Sequence, residues 1–349
     1  MDSIRLSHGA GGEAMQTMIR EIILKNLTYS PSGVDVPLRA LDDSSVVDDT
    51  VFTIDGHTVK PLFFPGGDIG VLSVAGTVND IAVMGAEPVA LSLSLIIEEG
   101  FSMEKLDDIM ASIGRTAEEA GVPVVTGDTK VVEKGGVDEL VTATAAFGKR
   151  SEALERNISV VREYRPFEER WIRDSNLKEG DVIIVSGTVG DHGISLLSFR
   201  EGYGFESEIK SDVAPLNRMI RSALEVGGIV AMKDPTRGGL ANTLNEWAEK
   251  SGVRITVDEE RIPMRDGVVS ASELLGIDPL EVGNEGKVVI GVVKEMADDV
   301  LNALRSTPEG RDAAVIGEAE QGKDVILRTS VGGRRILEPP ISDPVPRIC

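Results

Sequence analysis

The sequence predicts a layered α/β (α+β) fold of two domains followed by an extended, mobile tail. Three observations predict it. The chain has 349 residues, more than one ordinary hydrophobic core supports. Strand-like and helix-like periodicities are interspersed through both halves, as packed layers of sheet and helix require. From Glu338 the periodicity stops, and the prolines of PPISDPVPRIC can feed neither a helix nor a central strand.

The elements follow in chain order. Residues 13–26 set Met15, Met18, Ile19, Ile22 and Ile23 on or near one helical face, which predicts a first helix. Residues 40–47, 51–53 and 58–64 are rich in β-formers and lead into the turn Pro65-Gly66-Gly67. Residues 71–84 read as a buried helix in which Ala75 and Gly76 allow close contact. Residues 89–97 alternate as a strand, 102–120 are amphipathic, and 122–126 and 141–147 are further strands. The charge-rich stretch 149–181 has the weakest apolar periodicity, so the domain boundary is expected near Arg165. The second half restarts with a strand at 181–186, helices at 194–200, 215–225 and 240–251, and strands near Val253, Val288 and Val325.

Composition narrows the function. The net charge of −22 repels nucleic acid and anionic lipid at long range, so neither is an expected partner. No apolar run approaches the roughly 20 residues that cross a bilayer, and the start MDSIRLSHGAGG lacks signal-peptide character. One cysteine cannot form an internal disulfide, and a reducing cytoplasm is the expected compartment.

The chemistry is concentrated beside glycines. In His8-Gly9-Ala10-Gly11-Gly12, glycines permit backbone N–H groups to point together at an anion ahead of a helix; a flexible terminus reads the same. Asp42, Asp43, Asp55, Asp68 and Asp80 sit where turns present carboxylates, which suits Mg²⁺ bridged to nucleotide phosphates. Helix caps and Asx turns would use the same acids. Gly127-Asp128-Thr129-Lys130 after a strand and DPTRGGLA from Asp234 ahead of a helix lie where α/β folds bind ligands. Lys130 and Arg237 are the cations suited to a triphosphate, unless they are only solvated surface. GTVGDHG from Gly187 and NEGK from Asn284 are further polar turns, with Glu285 a candidate base. No phosphate loop of the G-x-x-x-x-G-K-[ST] kind occurs. Cys349 ends a proline-stiffened arm that could swing its thiol into a cleft, or is an incidental thiol on a frayed end.

The segments HGAGG, PLFFPGGDIG, GTVND, GDTKVV, SGTVGDHG, DPTRGG, NEGK and the terminal PRIC resemble, in order and spacing over nearly the whole chain, the HypE family of hydrogenase maturation proteins. That family is similar in fold to aminoimidazole ribonucleotide synthetase, selenophosphate synthetase and thiamine-phosphate kinase. The resemblance implies two α/β domains; with the boundary near Arg165 and the break at Glu338, these are expected over 1–165 and 166–337, with a tail over 338–349. It implies ATP and Mg²⁺ in the cleft between the domains and a homodimer built by pairing N-terminal sheets. It further implies that the carbamoyltransferase HypF loads a carbamoyl group onto Cys349. ATP-dependent dehydration then leaves a thiocyanate, whose cyanide passes to iron on HypC and HypD for the nickel-iron hydrogenase.

Carried over by motif, the resemblance makes Asp43, Asp55, Asp80 and Asp234 metal ligands. Cys349 becomes the carrier, with Lys130, Glu285 and Asp80 catalytic. Gly11, Gly12, Asp43, Asp55, Asp68, Asp128, Thr129, Arg237, Gly238 and Gly239 become nucleotide contacts. His57 departs from the aromatic versions of its motif and is expected in a loop. Two other readings compete: a selenophosphate- or purine-synthetase-like enzyme acting on an external small molecule, and a scaffold using Cys349 as a metal ligand.

Overall fold

The computed structural model describes residues 3–9, 11–30, 32–202, 209–341 and 344–349. The N-terminal half forms strands β1 (Val34–Val36), β2 (Ser45–Val47), β3 (Thr50–His57), a small hairpin β4 (Phe63–Phe64) and β5 (Gly67–Asp68), β6 (Ala86–Glu98), β7 (Val124–Val132) and β8 (Leu140–Arg150). Its helices are α1 (Glu13–Met18), α2 (Ile69–Val83), α3 (Met103–Ala120) and α4 (Glu152–Tyr164). The main sheet runs β1-β2-β3-β8-β6-β7, antiparallel except for β6 beside β7.

Helix α2 is the keystone of this half. It is buried nearly all round, as expected of a helix with no polar face. Its hydroxyls face the sheet, Ser73 bonding Thr142 at 2.5 Å and Thr77 bonding Thr144 at 2.5 Å. Asp68 caps its start, accepting from the N–H of Gly70 at 2.7 Å and of Val71 at 3.1 Å, which satisfies donors a helix leaves open. A Cβ on Gly70 would stand 2.5 Å from the Ile109 carbonyl, so only glycine lets α3 pack this near. The opposite face of the sheet carries exposed Phe52 and Ile54, and β7 is exposed over almost its full length.

The C-terminal half builds a second sheet from β9 (Val182–Val185), β10 (Ile229–Lys233), β11 (Arg254–Asp258), β12 (Val289–Val292), β13 (Ala314–Glu320), β14 (Val325–Arg328) and β15 (Arg334–Ile336). The order is β10-β12-β9-β13-β11-β14-β15, parallel only between β11 and β14. Its helices are α5 (Asp191–Glu201), α6 (Asn217–Val226), α7 (Gly239–Ser251), α8 (Asp266–Leu275) and α9 (Ala297–Arg305). Helix α4 packs on α6 and β10. Its Asn157 amide donates to the Ile229 carbonyl at 2.7 Å and accepts from the Ile229 N–H at 2.8 Å, replacing the neighbour that edge strand β10 lacks.

The two halves meet at buried Asn79 on α2. Its amide accepts from the Leu216 N–H at 2.7 Å and donates to the carbonyls of Ala214 at 3.1 Å and Glu285 at 3.4 Å.

Several sequence expectations need correction. The first helix is regular only over α1 and continues as a wider π-type turn, Ile19–Leu24, on which Ile22 and Ile23 are exposed. The strand expected at 122–126 runs on through Val132, so Gly127 to Lys130 form no ligand turn. Residues 149–181 contain α4, whose apolar face is hidden among charges. His57 is not in a loop: it ends β3 fully buried.

The tail is packed rather than free in this structure. Leu337 and Val345 are fully buried and Ile348 nearly so. The N–H of Thr58 donates to the Cys349 carbonyl at 3.0 Å and that of Lys60 to the Arg347 carbonyl at 3.1 Å. That antiparallel, two-residue spacing is a strand-type pairing. Prolines forbid the tail's own regular structure, yet its carbonyls still find donors.

Candidate active site

Two adjoining cavities open at the junction of the domains. The first, about 240 Å³, is lined by Gly11, Asp43, Asp55, Asp80, Asp234 and Arg237 among others. The second, about 680 Å³, is lined by Thr58, Thr236, Arg237 and Cys349 among others. They share Met15, Ile54, Asp55, Thr236 and Arg237, so the thiol and the acids border one continuous space. A larger cavity of about 710 Å³ lies away from all of these residues, between α4, α6 and the start of β6.

The acids come from four places in the fold: Asp43 before β2, Asp55 on β3, Asp80 on α2 and Asp234 after β10. Asp80 accepts from the Thr53 hydroxyl at 2.8 Å. Burial, followed by repulsion from Asp234, Asp55 and Asp43, holds its carboxyl well above the usual range. Burial likewise raises Asp234 to about 6. Burial opposes the Asp55 carboxylate too, yet the group is held below its ordinary value by its neighbours His57 and Arg237. Burial makes His57 harder to protonate, which leaves Arg237, at 3.3 Å, as the dependable partner. Among the described residues no group of three His, Cys, Asp or Glu is arranged to hold a metal ion as it stands.

A buried lysine explains part of that spacing. Lys233 closes β10 in close contact with Asp43, 3.3 Å from Asp174 and 3.4 Å from Glu246. These carboxylates outweigh burial and hold the ammonium firmly charged. Asp174 also binds Lys250 at 2.6 Å and the Trp247 indole N–H at 2.9 Å. Sequence reasoning missed Lys233 and Asp174. The only available signal was a single lysine ending the apolar run IVAM.

Glu285 is 2% exposed, and its Oε1 makes no hydrogen bond. Burial, then Asp234, Asp55 and Asp212, pushes its carboxyl well upward. Arg237 faces the Cys349 end of the chain, which with Asp55 and Glu285 raises its affinity for its proton. The structure therefore unites Gly11, Asp43, Asp55, Asp80, Asp234, Arg237, Glu285 and Cys349.

Other expected site residues lie elsewhere. Asp128, Thr129 and Lys130 stand on exposed β7, with Lys130 paired at 3.0 Å to Asp128 rather than to Glu285. Asp68 is committed to capping α2 and to the Ser112 hydroxyl at 2.6 Å, and it lines neither of the two adjoining cavities. Gly12 and Gly238 face the start of the tail, where a Cβ would come within 2.0 Å of the Pro340 carbonyl and 3.0 Å of its ring, respectively. Gly239, at φ +60°, abuts the Val282 carbonyl. These glycines serve close packing here.

Comparison with known proteins decides the family. Residues 41–149 match the AIR synthase related protein N-terminal domain, and residues 178–330 match the corresponding C-terminal domain. The chain is 44% identical to carbamoyl dehydratase HypE of Rhizobium leguminosarum over 99% of this chain and 95% of that one. It is 41% identical to carbamoyl dehydratase HypE of Escherichia coli over the whole of both. The chain belongs to the HypE family. Among solved HypE structures, one in complex with ATP superposes with a TM-score of 0.79 at 38% identity, covering 99% of this chain and all of that one. A HypE–HypF complex gives 0.82 at 41%, covering 93% and 99%. Thiamine monophosphate kinase of Aquifex aeolicus, 18% identical with a TM-score of 0.64 over 93% and 99% of the chains, shares the fold.

Proposed function

We propose that this chain is the ATP-dependent carbamoyl dehydratase of nickel-iron hydrogenase maturation, converting an S-carbamoyl group on Cys349 to a thiocyanate that supplies cyanide to iron. The observation that carries the reading is the meeting of the chain's single thiol with a cavity lined by buried acids and Arg237, within a chain of the HypE family. ATP binding follows from the similar HypE protein solved with ATP. The solved HypE–HypF complex of a similar protein supports HypF as the partner, which in this reading loads the carbamoyl group.

Making C≡N from a primary carboxamide removes two protons and one oxygen. Glu285 is suited to accept a proton, since burial and neighbouring acids raise its basicity. Arg237 is suited to balance negative charge next to Cys349. Asp43, Asp55, Asp80 and Asp234 supply the hard oxygen donors that Mg²⁺ takes. The mutual repulsion that lifts Asp80 is what a divalent cation would relieve. A Mg²⁺ held there would neutralise phosphate charge. The exposed face of the first sheet, with Phe52 and Ile54, and the exposed strand β7 fit a homodimer, in which Lys130 would serve from that interface. We place the protein in the cytoplasm with HypC and HypD as acceptors; no described helix is long and apolar enough to cross a membrane. The division at 1–165, 166–337 and 338–349 belongs to the same reading.

Intact mass spectrometry tests the reading. Loaded with HypF and its carbamoyl donor, then given ATP and Mg²⁺, the protein should carry its adduct on Cys349 and then lose one water mass. Cys349→Ala should show neither species. A carbamoylated chain that stays unchanged while ATP is consumed would overturn the proposal.

A further inference from the structure

The motif GTVGDHG finds no place among the acids of the cleft. Its histidine lies at the start of α5, fully buried. His192 Nε2 stands 2.8 Å from the Ile348 carbonyl, and Nδ1 stands 2.7 Å from the Ser211 hydroxyl. With the Ile348 carbonyl able only to accept, the ring must carry its proton on Nε2, and Nδ1 accepts from Ser211. Phe64 meets the ring edge-on at 5.5 Å and 89°. Both ring nitrogens are therefore engaged, and the one ring N–H is aimed at the penultimate peptide.

Two turns along α5, Arg200 Nη1 donates to the Pro346 carbonyl at 2.8 Å. Across the tail, Thr58 and Lys60 hold the carbonyls of Cys349 and Arg347. The Arg347 side chain returns to the Thr58 carbonyl at 2.9 Å and to Asp138 at 2.7 Å. The Ile348 side chain fits against Gly283, where a Cβ would lie 2.5 Å from it. Alternate carbonyls thus point to opposite sides, those of residues 346 and 348 to α5 and those of 347 and 349 to the continuation of β3.

We infer that His192 and Arg200 are positioning residues: they form the α5 side of a two-sided clamp on the tail backbone that holds Cys349 beside Arg237. The clamp reads main-chain carbonyls, so its hold does not depend on which side chains the tail carries at 346 and 348. The inference rests on the dehydratase reading for its consequence, a sulfur held at the site of reaction, but not for its test.

The test uses full-length protein without nucleotide or carbamoyl donor. Cys349 is labelled with a maleimide carrying a polyethylene glycol chain too large for the cavity, and the rate is read from the mass shift. A net hydrogen bond of roughly 0.5–1.5 kcal/mol corresponds to about a 2- to 12-fold change in an equilibrium. Arg200→Ala and His192→Ala should each label about 2- to 12-fold faster than the parent, with His192→Gln, which keeps a donor, nearer the parent rate. Arg200 is partly exposed and its loss spares the core, so it stands if His192→Ala does not fold. Equal labelling rates in parent and Arg200→Ala, with both folded by circular dichroism, overturn the clamp. That result would leave the carbamoyl experiment above untouched, and a failed dehydration with accelerated labelling would do the reverse.

Discussion

Replacing Lys233 by Met removes a charge without opening a cavity, because Met fills much the same volume with a flexible apolar chain. The consequences fall unequally on its three partners. Asp174 keeps Lys250 at 2.6 Å and the Trp247 N–H at 2.9 Å, and Glu246 keeps hydrogen bonds from Gln16 and Asn242 at 3.1 Å each. Asp43 keeps no cation among the pairs described here, so the penalty concentrates on it. Removing one partner of a buried pair costs about 3–5 kcal/mol, a large share of the roughly 5–15 kcal/mol that holds a domain folded. Urea unfolding followed by tryptophan fluorescence reads this loss, since of the two tryptophans Trp247 is bonded into the same network.

The pH dependence of the defect has a definite sign. Burial already holds the Asp43 carboxyl well above its ordinary value, and Lys233 is the largest influence pulling it down. In the Met variant the folded value rises further, while the unfolded value stays near 3.9. A carboxyl raised on folding destabilises increasingly as pH climbs from the unfolded towards the folded value, and not at all below both. The deficit of Lys233→Met relative to the parent should therefore be full at pH 8 and shrink towards pH 5. A loss under about 1 kcal/mol at pH 8, or a deficit that widens on acidification, would refute the assignment of Lys233 as the counterion of Asp43.

Asn157→Ala leaves the Ile229 N–H and carbonyl buried without their Asn157 partner; at roughly 1–3 kcal/mol per orphaned group, urea titration should show a loss of about 2–6 kcal/mol. Asp68→Ala removes the cap of α2 and should cost about 1–2 kcal/mol, while calorimetry finds ATP affinity unchanged, as befits a residue outside both cavities. Glu285→Gln should bind nucleotide and accept the carbamoyl group but stall there, which mass spectrometry of Cys349 would register; normal formation of thiocyanate would remove Glu285 as the base.

Strong local patterns made much of the fold legible. The largely apolar run of α2, the alternation of β6 and the amphipathic α3 each declare their environment within a single window, and each formed where expected. Helix α4 did not, because its few apolar residues face one helix and one strand while most of the rest are charged or polar. The acids Asp43, Asp55, Asp80 and Asp234 were legible because each follows a recognisable turn or motif. Their charged neighbours were not: the counterion Lys233 and the further acid Asp174, which shares that lysine, are 190 and 131 residues from Asp43, and nothing local marks which charge meets which. The tail failed for a related reason. Its prolines announce the lack of an internal ladder, but its carbonyls are satisfied by Thr58, Lys60, His192 and Arg200, donors that only the folded molecule brings near.

Asn79 bears on how anything reaches the cleft. Swinging the lobes apart would strip its side chain from Leu216, Ala214 and Glu285 together, giving up three hydrogen bonds worth roughly 0.5–1.5 kcal/mol each. The terminal arm is held by other donors, Thr58, Lys60, His192 and Arg200. Arm and Asn79 bolt are thus fastened by separate sets of donors, so a substitution that loosens one leaves the fastening of the other in place.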